Sequence, residues 1–294
     1  MNTQLLRHGG EFSMTATTSN VNNKALLHEQ VSSLLVQPLE AASVVLSSGP
    51  RIFDSSEPLR IPRLKSGATV GFVGEGELIA DSDVAFDEVK LMPSDRKSIK
   101  TITKYTNELA RQSVIGLDAV LKARLVADVS NKLDTALLTG DGKDKSITGI
   151  INQADVQTGV LDVADADTLL DGIALAQAKE VTPNRWFISG ADFIALRKLK
   201  DGNKRYLLEQ DLTKDATYRL HGIPVTVTNK LPEGKAALVD MTQVAVVRDI
   251  APSVTVLSER YAEFDQQAIR VVTRYDLGLL HPEGVVVLSK KTTR

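Results

Sequence analysis

The sequence predicts an α+β protein organised around one long helix, and three observations carry that prediction. Leu117, Leu121, Leu125, Leu133 and Leu137 recur at four-residue spacing with Val129 filling the gap, the stripe of an amphipathic helix. Residues 47–90 hold short β-type runs (LRIPRL, ATVGFVG, DVAFDEVKL) punctuated by Gly and Pro. SVTVLSE and AIRVVTRYDLGLL, within residues 252–290, alternate apolar and polar side chains with the period of half-buried strands.

Taken in order, residues 1–25 are polar, rich in Thr, Ser and Asn, and read as an extended arm. A short helix is expected from Lys24 to Leu35, ending before Pro38. Residues 47–90 read as a long two-stranded excursion followed by a strand into the body, with glycines at 67, 71, 74 and 76. Such a hairpin is marginal in water by itself, so a neighbouring surface must cover it. Residues 95–107 alternate and are assigned to a strand. The long helix runs over 108–138 with no proline; at about 1.5 Å per residue, 25 residues span nearly 40 Å. Thr139-Gly140-Asp141-Gly142 ends it, with Gly140 placed for a left-handed cap. Residues 144–251 alternate helix and strand. Asp165 or Asp167 is positioned to cap a helix through TLLDGIALAQAKE, RWFIS is a short buried strand, and Ser189 caps a helix through SGADFIALRKLK. Strands follow at Ile223–Thr228, Ala236–Val239 and Gln243–Val247. The closing β segment turns at Tyr261–Gln267 and ends in VVVLS.

Composition narrows the function. Of 294 residues, 35 are Lys or Arg and 37 Asp or Glu, giving a net charge of −2, too balanced for a strongly basic nucleic-acid binder. The 43% hydrophobic content supports a sizeable core. With no cysteine, disulfides, thiol nucleophiles, iron–sulfur clusters and Cys-ligated zinc are excluded. No apolar run approaches the roughly 20 residues that span a bilayer, and residues 1–18 lack a signal-peptide core, so a soluble protein with no membrane partner is expected.

No motif presents convergent chemistry. The four histidines (His8, His28, His221, His281) are widely separated and form no HExxH pair. Gly140-Asp141-Gly142 follows a helix, whereas a phosphate loop precedes one. Gly71 to Gly76 has the wrong spacing for GxGxxG. Asp81, Asp83, Asp87 and Glu88 lack the calcium-loop pattern, and Asp162, Asp165 and Asp167 read as a solvated face. Ser189-Gly190 lies between a strand and a helix, but no GxSxG elbow is present. The expectation is a non-enzymatic protein with no catalytic, cofactor or metal site.

Together these segments resemble a known family. IPRL at Ile61–Leu64, FVGEGELIADSDVAFDEVKL at Phe72–Leu91, NELARQS at Asn107–Ser113, LDTALLTGDG at Leu133–Gly142 with TGI at Thr148–Ile150, and HGIPV at His221–Val225 stand in the order and spacing of the major capsid protein of tailed double-stranded DNA bacteriophages, with the Hong Kong 97-like fold. The resemblance covers residues 48–290. It implies an N-terminal arm (1–50), an extended loop (51–90), a peripheral domain (91–143 and 252–294) carrying a spine helix, and an axial α/β domain (144–251).

It further implies self-assembly as pentamers and hexamers into an icosahedral shell around double-stranded DNA, located in the virion. A separate scaffold protein, a portal and a decoration protein are the implied partners; members with a built-in scaffold carry a much longer N-terminus, so here the scaffold is expected to be separate or that part already processed away. An encapsulin-like compartment packaging an enzyme is the alternative; the polar arm favours the phage reading. Some members of the family weld subunits through a Lys–Asn isopeptide bond assisted by a Glu. Here Ile79, Gln267 and Arg274 fall at or near those positions, so no self-cross-linking is expected.

Overall fold

The computed structural model describes residues 43–66, 72, 74, 85–92, 98–108, 117–143, 146–200, 203 and 218–290. The arm over 1–42, its expected helix and the glycine-rich stretch over 67–84 (apart from 72 and 74) lie outside the described residues, as does the start of the long helix over 109–116.

Among the described residues, two sheets and a hairpin make the β structure. The first sheet has four strands, β1 (Arg51–Asp54), β4 (Ile99–Thr106), β10 (Val244–Leu257) and β11 (Gln266–Leu279), in the order β1-β10-β11-β4. β10 and β11 are 14-residue antiparallel partners; β4 runs antiparallel to β11 and β1 parallel to β10. The second has six strands: β5 (Gln157–Leu161), β6 (Arg185–Ile188), β7 (Arg219–Leu220), β8 (Ile223–Val227), β9 (Lys235–Val239) and β12 (Val285–Lys290), ordered β5-β12-β9-β6-β8-β7. The hairpin pairs β2 (Leu59–Ser66) with β3 (Ala85–Leu91).

The long helix α1 (Leu117–Thr139) packs on one face of the four-stranded sheet. Leu125, Val129, Leu133 and Leu137 of its stripe are buried against Val246 of β10 and Ile269, Val271 and Leu277 of β11. Each such leucine contributes about 1.5–3 kcal/mol through the apolar surface it removes from water. Two shorter helices, α2 (Asp167–Gln177) and α3 (Gly190–Arg197), cover the six-stranded sheet over a second core built on Trp186, Ile188, Leu238, Val286 and Leu288.

Four details depart from the sequence reading. Arg51–Asp54, read as part of the excursion, pairs with β10 in the body, so the hairpin starts at Leu59. The two strands expected at 243–247 and 253–259 are one strand, β10, interrupted only by register shifts between Arg248 and Ile250 and between Ile250 and Ser253. The second of these spans Pro252, which cannot donate to the ladder and which broke the visible alternation. The last strand, β12, leaves the β10–β11 pair and inserts between β5 and β9; flanked on both sides, Val285 to Leu288 are all buried.

Finally, the left-handed glycine after α1 is Gly142, at φ +71°, and not Gly140. Gly140 is needed for close approach instead, since a Cβ there would lie 2.0 Å from the Ile147 carbonyl oxygen. The 148–150 segment folds back on this turn, with Gly149 N–H donating to the Gly140 carbonyl at 2.9 Å. Asn152 Nδ2 donates to the Thr139 and Gly140 carbonyls, both at 3.0 Å, closing the helix C-terminus.

Candidate assembly surfaces

Two stretches of chain, Ser43–Leu46 and the hairpin root, are each held to the body by a buried aspartate. On α1, Asp134 is 2% exposed. Its Oδ1 accepts from Ser43 Oγ at 2.6 Å and Val45 N–H at 3.2 Å, and its Oδ2 from Val44 N–H at 2.9 Å. Ser43 Oγ in turn accepts from Leu46 N–H at 3.2 Å. Val45 and Leu46 enter the main core beside α1. The chain that follows the N-terminal segment is thus held by charge-assisted hydrogen bonds and apolar packing together.

The second stretch is the hairpin root. Its inner face carries Leu59, Ile61, Val89 and Leu91, which pack on Ala245, Val247 and Leu280 across the sheet from α1. Gly278 of β11 permits this approach: a Cβ there would meet Leu91 Cδ2 at 2.5 Å and Val89 Cγ1 at 2.9 Å. Asp276 Oδ2 accepts from Met92 N–H at 2.7 Å while its Oδ1 accepts from Leu277 N–H at 3.0 Å. Met92 has φ +57°, an unfavourable left-handed conformation for a side chain of that size, held here by Asp276 and by burial.

Further out, the same hairpin face changes character. Arg63 faces Asp87 across the strands and donates to its Oδ2 at 2.6 Å. The other face carries Arg60, Glu88 and Lys90, with Lys90 Nζ 2.8 Å from Glu88 Oε1. The Lys90 ammonium holds the Glu88 carboxyl below the usual carboxylate range. The hairpin is therefore apolar where it joins the body and charged as it departs.

Beside this root, Arg248 forks onto Asp54, with Nη2 to Oδ2 at 2.8 Å, tying β10 to β1; this hydrogen bond and charge hold the Asp54 carboxyl low. Arg274 pairs with Asp249 at 3.2 Å. Gln267 lies seven residues from Arg274 on β11, on the opposite face and about 23 Å along the strand. These positions supply an amide and a guanidinium but no carboxylate, and Ile79 lies outside the described residues.

The remaining sequence candidates have structural work. Ser189 caps α3, accepting from Asp192 N–H at 3.1 Å, and Asp192 also accepts from Gly234 N–H at 2.7 Å. Asp165 accepts from Asp167 N–H at 3.0 Å at the start of α2. Among the described residues no group of three or more His, Asp or Glu side chains could hold a metal, and no helix is long and apolar enough to cross a membrane.

The phage capsid family model matches residues 23–290, nearly the whole chain. The chain belongs to the phage capsid family. As a capsid protein it is a structural subunit of a virion shell and not an enzyme. It is similar to the major capsid protein of Klebsiella oxytoca phage phiKO2, at 25% identity over 94% of this chain and 70% of that protein.

Among solved structures, the capsid of a native GTA particle computed with C5 symmetry superposes with TM-score 0.71 at 16% identity, covering 85% of this chain and 90% of that one. The Microbacterium phage Oxtober96 structure gives TM-score 0.70 at 17% identity over 85% and 91%. The capsid protein thus has the mixed α+β, Hong Kong 97-like fold. The sequence reading of it missed Asp134 and Asp276. A signal for the first was available: Val126, Ser130, Asp134 and Leu138 are spaced by four, so two polar residues continue an apolar row that the structure buries throughout.

Proposed function

We propose that this capsid protein assembles as pentamers and hexamers into the icosahedral head of a tailed phage and encloses its double-stranded DNA. The hairpin acts as the extended loop, α1 as the spine helix, the four-stranded sheet as the peripheral domain and the six-stranded sheet with α2 and α3 as the axial domain. Residues 1–50 are the N-terminal arm.

The observation that carries this reading is the hairpin itself. It is rooted in the body by an apolar cluster, and further out it turns charged, with Arg63 paired to Asp87 and Lys90 to Glu88. A neighbouring subunit supplies the missing surface. Closed shells of one chain require heterologous contacts that close by rotation, and many weak contacts per subunit combine by avidity. A separate scaffold protein, a portal and a decoration protein complete the head. No isopeptide bond forms, because Ile79 and Arg274 replace the amine and the carboxylate that bond requires.

Electron microscopy of purified particles tests the proposal: closed icosahedral shells containing DNA are expected. Subunits that never close, or shells filled with a cargo enzyme in place of DNA, overturn it. On a denaturing gel, boiled particles should run near 31.8 kDa; a ladder of covalent oligomers would refute the absence of cross-linking.

A further inference from the structure

The two ends of the six-stranded sheet differ in shape and in charge. At one end, β5 bonds to β12 on one side only, and α2 lies against it. Between them is an apolar groove of about 440 Å³ lined by Gly159, Val160, Asp171, Gly172, Leu175 and Leu288. The glycines make it: a Cβ at Gly159 would lie 2.6 Å from Leu288 Cδ2, and one at Gly172 3.1 Å from Leu288 Cδ1. Val160 is 48% exposed and Leu170, on the adjoining helix surface, 46%. From Ser146 to Ala178 the chain has aspartates at 155, 162, 165, 167 and 171 and no Lys or Arg. This end is apolar in the middle, with Asp171 in the groove lining and further aspartates on the adjoining β5 and α2 segments.

The opposite end, where β8, β7 and α3 meet, is the complement. Ile194 on α3 is 48% exposed and Val227 on β8 is 38% exposed. Lys198 and Arg219 are exposed beside them, and Arg197 lies over the Tyr218 ring at 5.4 Å. The acidic residue of α3, Asp192, is buried and held by Ser189 and Gly234. Five strand spacings separate the two ends, about 24 Å, so one copy cannot fill its own groove.

We propose that the β5–α2 groove of one copy receives the α3–β8 end of a second copy, head to tail, and that this contact closes the capsomer ring. The inference rests on the shell-forming reading above and names the surfaces that reading requires. A contact between two different patches on identical chains is heterologous, the kind that generates rings. Apolar side chains fill the groove, while the surrounding charges orient the partner and disfavour groove-to-groove pairing. An edge strand left bare invites uncontrolled pairing, and covering it within a ring removes that hazard.

The full-length chain tests this through exposed positions that leave folding intact. Val160→Lys with Asp171→Lys makes the groove end positive; Ile194→Asp with Lys198→Asp makes the other end negative. Each double variant should melt near the parent temperature, yet give at least a tenfold loss of rings and shells by light scattering and electron microscopy. The chain carrying all four changes should recover them, since the reversed charges attract again. If either double variant assembles as the parent does, or if the four-fold variant melts normally and stays unassembled, the proposal is wrong. Should those variants keep their rings but lose a co-expressed scaffold protein, the groove serves that partner, which also overturns it. Failure of the parent chain itself to form shells would instead count against the shell-forming reading.

Discussion

The Ser43–Leu46 stretch and the hairpin root solve one problem in two ways. Asp134 and Asp276 are both buried carboxylates that accept backbone N–H groups, from Val44 and Val45 in one case and from Met92 and Leu277 in the other. Asp134 sits on a helix and collects three donors from one short stretch, Ser43 to Val45. Asp276 sits on a strand and takes one donor from the hairpin and one from its own neighbour, Leu277. The difference teaches how firmly each segment is set. The first is fixed by three polar bonds together with Val45 and Leu46 in the main core, the second by an apolar pad with a single polar latch.

The largest expected effect comes from removing what the N-terminal anchor rests on. Leu133→Asp would bury an unpaired charge in the α1 seam, costing several kcal/mol against a total stability of about 5–15 kcal/mol. The variant should be insoluble or unfolded by circular dichroism, whereas Ala127→Asp, on the exposed face of the same helix, should fold normally. Next is Asp134→Ala, which strands buried donors and should lower stability by about 2–4 kcal/mol in urea unfolding. Asp276→Ala should cost less, about 1–3 kcal/mol, because the apolar pad remains. Equal losses for the two aspartates would erase the distinction between the anchors.

Gly278→Val should cost a comparable amount, about 1–3 kcal/mol, since Leu91 and Val89 are side chains that can shift. Its signature is displacement of the hairpin, read as faster proteolysis within residues 59–91 while the body keeps its far-ultraviolet spectrum. The smallest effect belongs to Arg248→Ala. Asp54 is two-thirds exposed, so the pair contributes less than about 1 kcal/mol. The sign follows from the lowered Asp54 carboxyl: the contribution is present above the unfolded aspartate value near pH 4 and disappears as pH falls through the lower folded value. Parent and variant should therefore differ slightly at pH 7 and converge in acid; a gap that widens in acid would reverse the assignment.

What the sequence revealed followed period. The leucine stripe of α1, the alternation of β11 and the Ser189 cap were legible because each is a local repeat or a single side chain meeting its own backbone. Sheet membership was not. Nothing in VVVLS distinguishes a partner in the four-stranded sheet from one between β5 and β9, since a strand buried on both faces reads the same in either place. β5 escaped notice because Gly159 interrupts its apolar run, and that glycine is there to let α2 approach. Asp134 and Gly140 were visible as residues, but their roles depend on Ser43 and Ile147, which come near only after folding.

The placement of β12 also sets an order in time. β5 and β12 pair in register from Gln157 with Val286 to Leu161 with Lys290, so the six-stranded sheet joins segments more than a hundred residues apart. Until β12 arrives, β5 has no strand partner and β9 presents an open edge. Pairings this distant form slowly, because the intervening chain must close before any contact rewards it. The strand that separates β5 from β9 therefore marks a late step of maturation within the single subunit, one at which a nascent chain is most exposed to wrong partners and to capture by a chaperone.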